Sequence, residues 1–250
     1  MLSIIIPALN EEKQLPVLLA QIKKQDLSDY EIIVADAGSK DKTKKIARSF
    51  GCVVVKGGLP AKGRNEGAKI ARGDIFLFMD ADNTYLPNHF LKTLLKEFKR
   101  RKLGVASFPI YPDGNWFDKV AYFLYNFWTE FSQGFLAHAT NSVLIKRDVF
   151  EKINGFDEEI KIGEDHDLAR RASKIAPFGY IKTKPVLTSV RRFEKDGRLK
   201  TYSKYLLAGL YMLLFGPVKK EIFKYRFDDL GKNEKERERK TKPNSNSNKQ

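Results

Sequence analysis

What most constrains the fold of this chain is an alternation in its first hundred residues. Four apolar runs, "LSIIIPA", "YEIIVAD", "CVVVK" and "DIFLFMD", are separated by stretches of helical character. Leu15, Leu18, Leu19 and Ile22 fall on one helix face. Residues 41–50, 64–71 and 86–101 supply three further helices. Ser39 or Asp41 is the expected N-cap of the first of these, and Pro87 sits in the first turn of the last. Strands that are apolar along their whole length, each followed by a helix, imply a sheet covered on both faces. The expected fold class is α/β, with a mostly parallel sheet flanked by helices. Ligands of such sheets gather beyond the carboxyl ends of the strands. Pro7 to Glu11 follow the first strand, Asp36 ends the second, and Asp80 and Asp82 end the fourth. These polar groups converge on one edge, which makes that edge the candidate site.

Beyond residue 104 the pattern loosens. Residues 116–137 are helix-like and aromatic, "NSVLIKR" is strand-like, and "GEDHDLARRASKI" opens a helix at its acidic end. The late run "LLAGLYMLLFG" is apolar but only 11 residues long. A membrane span needs about 20 apolar residues, so none is expected. The beginning, "MLSIIIPALNEE", has no basic segment ahead of its apolar run and is not expected to act as a signal peptide. The single cysteine, Cys52, precludes an intramolecular disulfide and reads as a small core residue; with the three histidines it shows no zinc-type spacing. A domain over 1–198, an amphipathic helical extension over 199–229 and a disordered basic tail over 230–250 are expected.

Net charge is +15, of which residues 232–250 carry +4, seven Lys/Arg against three Glu, leaving +11 on the body. Such a balance suits nucleic acid, acidic lipid headgroups or a diphosphate-bearing substrate. The basic residues are scattered and no helix carries a recognisable nucleic-acid motif, so no nucleic-acid partner is expected. A phosphate-binding P-loop is excluded. "GLPAKGRN" has Gly58 and Gly63 at the right gap, but Arg64-Asn65 stands where Lys-Ser/Thr is required. No G-x-G-x-x-G follows the first strand. That leaves the pair Asp80 and Asp82, two residues apart and so on one side of an extended chain. Carboxylates placed so repel unless a cation or hydrogen-bond donors lie between them. Capping of the next helix is the plainer alternative.

Five segments occur in succession: "IIIPALNEE", "IIVADAGSKDKT", "GRNEGAKIARGDIFLFMDAD", "NGFDEEIKIGEDHDLARR" and "SVRRFEKDG". Over about residues 2–195 this order resembles glycosyltransferase family 2, the inverting nucleotide-sugar transferases of GT-A fold, and in particular the branch that includes polyprenyl-phosphate sugar transferases. The resemblance implies a metal-dependent inverting transfer of a sugar from a nucleotide-diphosphate donor to a hydroxyl acceptor. A polyprenyl-phosphate acceptor is the alternative within the class, and a non-catalytic nucleotide-sugar or polyanion-binding protein the alternative outside it.

The same resemblance implies roles for residues. Pro7, Ala8 and Glu11 line the base and ribose, and Asp36 accepts from a base N–H. Lys62 and Arg64 neutralise the diphosphate, Asn65 and Gly67 are structural, and Asp80 faces the ribose with Ala81 beside it. Asp82 holds Mg2+ or Mn2+. Asp165 is the general base, with Glu164 a helix cap, and Arg191 and Arg192 form a late basic motif near the diphosphate. Leu9, Ala37 and Thr84 depart from the commoner family pattern at an aromatic, a second aspartate and a metal-binding glutamine. The expected setting is the cytoplasm. Residues 202–227, with Tyr205, Leu206, Leu210, Leu213 and Leu214 between basic ends, either lie on the inner face of the cell membrane beside acidic lipids or pack onto the domain.

Overall fold

The structure, a computed structural model, describes residues 1–139 and 142–219. Strands β1 (Leu2–Ala8), β2 (Tyr30–Asp36), β3 (Val53–Lys56) and β4 (Ile75–Phe78) alternate with helices α1 (Leu15–Lys23), α2 (Thr43–Ser49) and α3 (Pro60–Ile70). Then come β5 (Asn83–Tyr85), α4 (Phe90–Arg100), β6 (Val105–Ser107), β7 (Ile110–Pro112), α5 (Trp116–Ser132), β8 (Val143–Lys146) and α6 (Arg147–Lys152). The series ends with α7 (Glu164–Ser173), β9 (Phe178–Tyr180), β10 (Val186–Thr188), α8 (Arg191–Asp196) and α9 (Arg198–Phe215).

Seven strands form one sheet in the order β3-β2-β1-β4-β8-β6-β9, parallel except where β8 runs antiparallel to both β4 and β6. The pleat sorts neighbouring residues onto opposite faces. Ile4, Ile6 and Leu77 join Leu15, Leu18 and Leu19 of α1 and Phe90, Leu94 and Phe98 of α4 in one core. Ile5, Ile33, Phe76 and Phe78 meet Ala61 and Ala68 of α3 and Leu168 and Ala172 of α7 in the other. Each fully buried Leu, Ile or Phe side chain contributes on the order of 1.5–3 kcal/mol, so both faces are anchored. Register then fixes the site edge: Ala8 lies opposite Asp36.

Helix α3 reaches β1 through two glycines one turn apart. A Cβ on Gly63 would lie 3.3 Å from the Pro7 Cβ, and one on Gly67 only 2.5 Å from Ile5 Cγ2. This close seat brings Arg64, on the same helix, to the end of the sheet.

Several boundaries differ from expectation. Helix α4 starts at Phe90 rather than 86, and Pro87 lies ahead of it, because Asn83–Tyr85 is taken as a strand by β10. His89, at φ 60°, turns the chain into the helix. Helix α3 starts at Pro60, four residues before the expected 64, and α5 ends at Ser132 rather than 137. Neither residue proposed as the cap of α2 occupies the N-cap, which is Lys42 without a side-chain cap bond; Asp41 stands one residue ahead, its Oδ1 accepting from the Thr43 amide at 2.9 Å. Cys52 is buried, as expected of a core residue.

Strands β5, β10 and β7 make a small second sheet beyond β4. Asp118, fully buried on α5, closes a capping box with Asn115 and accepts from Arg198 Nε and the Tyr202 hydroxyl of α9, each at 3.0 Å. The expected boundary at 198 therefore falls on the first residue of α9, a helix tied to the domain at its start. Residues 220–229 of the extension and the tail over 230–250 lie outside the described residues.

Candidate active site

The site begins where the loops after β1 and β2 are sewn together. The Asn10 amide donates to Ser39 Oγ at 2.9 Å and the Glu11 amide to Thr43 Oγ1 at 2.8 Å; the Lys40 amide returns a bond to Asn10 Oδ1 at 2.9 Å. Within this frame Asp36 is buried, its Oδ1 accepting from the amides of Gly38 (3.0 Å) and Ser39 (2.9 Å). Its Oδ2 is buried with no hydrogen-bond partner. A buried carboxylate oxygen left unmatched is costly unless something donates to it. Asp36 also lines a cavity of about 300 Å³ with Gly38, Lys44, Arg48, Lys56 and Gly57, large enough for part of a planar ligand with N–H groups.

Across the edge the acids gather. Arg64, 3% exposed, donates to Asp80 Oδ1 at 2.7 Å and to Glu164 Oε1 at 2.6 Å, and its guanidinium lies over the Phe156 ring. One cation thus joins the end of β4 to the start of α7. Glu11 is held by Arg191, which reaches both its oxygens at 2.8 and 3.0 Å. Asp82 accepts from Thr188 Oγ1 at 3.4 Å and, through its carbonyl, from the Ser189 amide at 3.0 Å. Asn83 donates to the Asp80 carbonyl at 2.8 Å and shapes the turn, with Ala81 buried inside it.

These carboxyls feel one another. Burial raises Glu11 to about 7, Arg191 opposing and Asp82 and Asp80 adding to the rise. Burial likewise raises Asp80 to about 6, against the pull of Arg64 and with Asp82 and Glu164 adding. Asp165, in the first turn of α7, is raised to about 8 by burial and by Glu164, with Arg64 opposing. The Arg192 guanidinium interacts with Asp82 and Asp80 and is bonded to Tyr205 of α9. Such mutually raised carboxyls mark a place short of positive charge.

A model of glycosyl transferase family 2 matches residues 3–153, more than half of the chain. The chain belongs to that family. The human dolichyl-phosphate beta-glucosyltransferase is 37% identical over 99 residues, covering 32% of this chain and 31% of that one. The 4,4'-diaponeurosporenoate glycosyltransferase of Staphylococcus haemolyticus is 36% identical over 110 residues, 40% of this chain and 29% of the relative. The matched part thus spans about a third of the length of these curated relatives. Among solved structures, S. aureus TarS 1–349 in complex with UDP is similar at TM-score 0.62 and 21% identity, covering 84% of this chain and 65% of that one. Glucosyl-3-phosphoglycerate synthase from Mycobacterium tuberculosis, in complex with Mn2+, UDP and glucosyl-3-phosphoglycerate, matches at TM-score 0.59 and 18% identity, over 84% of this chain and 78% of that one. The GT-A fold follows from these likenesses, and the family is one of glycosyltransferases.

In this family member the residues singled out from the sequence divide clearly. Pro7, Ala8, Glu11, Asp36, Arg64, Asp80, Ala81, Asp82, Asp165, Arg191 and Arg192 meet at the carboxyl edge of the sheet, whereas Lys62 is exposed on the outer side of α3. Arg64 is engaged by two carboxylates rather than open to an anion. Asn65 ties α3 to the Phe156 backbone through both its amide atoms, at 2.9 Å each, and Gly67 permits the close seat on β1. Thr84 donates to the Leu187 carbonyl at 3.4 Å. Sequence reasoning missed two tyrosines. Tyr205 bonds Arg192, and the half-buried Tyr125 of α5 packs edge-on against His166, next to Asp165, and donates to the Ala139 carbonyl at 2.8 Å. Both stand in aromatic helices whose tyrosines carry no signal that separates them from packing residues.

Proposed function

We propose that this glycosyltransferase moves a sugar, with inversion, from a nucleoside-diphosphate donor to an acceptor hydroxyl, with Asp165 as base. The observation that carries the reading is the division of the edge. An unmatched oxygen of Asp36 stands at one end, and a crowd of raised carboxyls stands at the other. The first suits a base N–H and the second a cation with a diphosphate.

The donor set fits a hard divalent cation. Asp82 and Asp80 offer carboxylate oxygens, and among the described residues no group of three acids or other ligands would cage a metal alone. Magnesium and manganese sites of this kind use one or two carboxylates and complete their shell with substrate phosphates. Held at Asp82, such an ion would offset the charge that develops on the leaving diphosphate. Arg191 and Arg192 add fixed positive charge on the same side, and Arg64 holds Asp80 and Glu164 in place. A hydroxyl must lose its proton as it attacks. A carboxyl raised from the ordinary range toward neutrality, as burial and Glu164 raise Asp165, is suited to take it. Single displacement opposite the leaving group needs no covalent intermediate, so one base suffices.

A phosphate acceptor is the second reading, favoured by the relative named for dolichyl phosphate. Being anionic already, it would need no base. Thermal shift with UDP and with GDP, each with manganese, identifies the donor base, because a ligand of the folded state raises its midpoint. Asp82→Asn should keep the fold but lose the manganese-dependent part of that shift, and full retention would remove the metal from Asp82. In single-turnover transfer with saturating donor, Asp165→Asn should be at least about a hundredfold slower. A rate within a few-fold of wild type would move the phosphate acceptor to first place.

A further inference from the structure

Helix α5 is built with its polar side in. Its buried residues are Asp118, Asn126, Thr129 and Ser132. Asn126 donates to the Ile110 carbonyl at 2.9 Å and accepts from the Tyr180 hydroxyl at 2.9 Å, so this inward polarity is matched by the domain. Outward stand Trp116, Phe123, Phe127, Trp128, Phe131 and, just past the helix, Phe135. Phe131 is 64% exposed and Trp116 74%. An ordinary surface helix shows the opposite arrangement. Helix α9, joined to α5 through Asp118, also turns apolar side chains outward: Leu206, Leu210 and Leu214 are exposed, while Thr201, Ala208 and Met212 are buried. Among the described residues nothing covers this apolar surface over two neighbouring helices, and such a surface marks an interaction site.

Charge and sequence select the occupant. Helix α9 carries Arg198, Lys200 and Lys204 and no acidic residue, on a chain of net charge +15. A second copy would bring the same positive charge against it. Residues 231–250 contain no large apolar side chain, whereas 220–230, outside the described residues, carry Ile222, Phe223, Tyr225, Phe227 and Leu230 between lysine and arginine, the composition of a further basic and apolar segment. An acidic lipid surface supplies both an apolar interior and negative headgroups. Tryptophans at exposed positions suit the level of the headgroups. No helix among the described residues is long and apolar enough to cross a membrane, so contact would lie in the plane of the interface. Tyr125 of α5 packs edge-on against His166, the neighbour of Asp165, with ring centroids 6.4 Å apart, and Tyr205 of α9 is hydrogen-bonded to Arg192, which sets the face beside the site.

We infer that the outward faces of α5 and α9 together dock the protein on a membrane surface containing acidic lipid, with the mouth of the active site beside it. The expectation placed on residues 202–227 gains a second, more aromatic helix. This inference does not depend on which acceptor the enzyme uses. The test is flotation of the full chain with phosphatidylcholine vesicles, with and without phosphatidylglycerol. The wild type should float with the acidic vesicles and much less with the neutral ones. Phe123→Glu/Phe127→Glu/Phe131→Glu on α5, and separately Leu206→Glu/Leu210→Glu on α9, should each lower the bound fraction by at least about tenfold. All of these side chains are exposed, and an unchanged thermal midpoint with unchanged nucleotide binding confirms a folded variant. The inference is overturned if wild type does not float, if it floats equally with neutral vesicles, or if either folded variant floats as well as wild type. Concentration-dependent dimerisation abolished by these substitutions, with no vesicle binding, would assign the face to a second copy instead.

Discussion

Arg64 and Glu11 show how single residues in this site answer to charge rather than to size. Arg64 is buried because Asp80 and Glu164 meet it on two sides; removing either would leave part of the buried guanidinium without an acceptor, and removing Arg64 would leave two carboxylates facing each other. Glu11 has a partner in Arg191 yet is still raised to about 7 by burial, with Asp82 and Asp80 adding to the rise. Its folded-state pKa lies above the unfolded value near 4.5. Its contribution to stability is therefore complete below about 4.5 and is lost as pH rises through about 7. The thermal midpoint of the ligand-free protein should fall across that window, and Glu11→Gln should flatten part of the fall. Melting curves taken from pH 4.5 to 8 check this; an unchanged slope in the variant would clear Glu11 of the effect. The acids of the site were legible from the sequence because each stands at the end of an apolar run or the start of a helix. Tyr125 and Tyr205 were not, since only tertiary packing brings α5 and α9 to Asp165 and Arg192.

At the scale of elements, the seat of α3 on β1 sets the position of Arg64, and it depends on Gly67. A methyl group there would lie 2.5 Å from Ile5 Cγ2, on a β-branched side chain that has little room to turn. Alanine favours a helix interior by about 1 kcal/mol over glycine. Overpacking commonly costs about 1–3 kcal/mol, so Gly67→Ala is expected to be net destabilising. Chemical denaturation would measure it, and a more stable variant would show that the seat can open without cost. Strands β1 to β4 and helix α1 were readable because long apolar runs and helical spacing carry their own signal. The three-residue strands β5, β6, β7, β9 and β10 were not, because such short segments have no period. Nor does a sequence state strand direction. β8 reads like any apolar strand, and only pairing with β4 and β6 makes it antiparallel. For α5 the helix-like, aromatic character was visible, but which side faces inward depends on partners elsewhere in the chain.

For the whole molecule, the outward apolar faces of α5 and α9 bear on how copies behave in solution with no lipid present. Each copy carries exposed rings together with a net charge of +15, so attraction at short range competes with repulsion at longer range. The reach of that repulsion is about 10 Å at 0.1 M salt and about 3 Å at 1 M. Colloidal behaviour should therefore invert the usual use of salt. Light scattering should find separate copies at low ionic strength and clusters at about 1 M sodium chloride, dispersed again by a mild non-ionic detergent. Scattering that stays flat across that range would mean that the rings are shielded from one another by something other than charge. Purification then becomes a matter of electrostatics. A high-salt wash meant to strip contaminants would remove the repulsion that keeps the preparation clear.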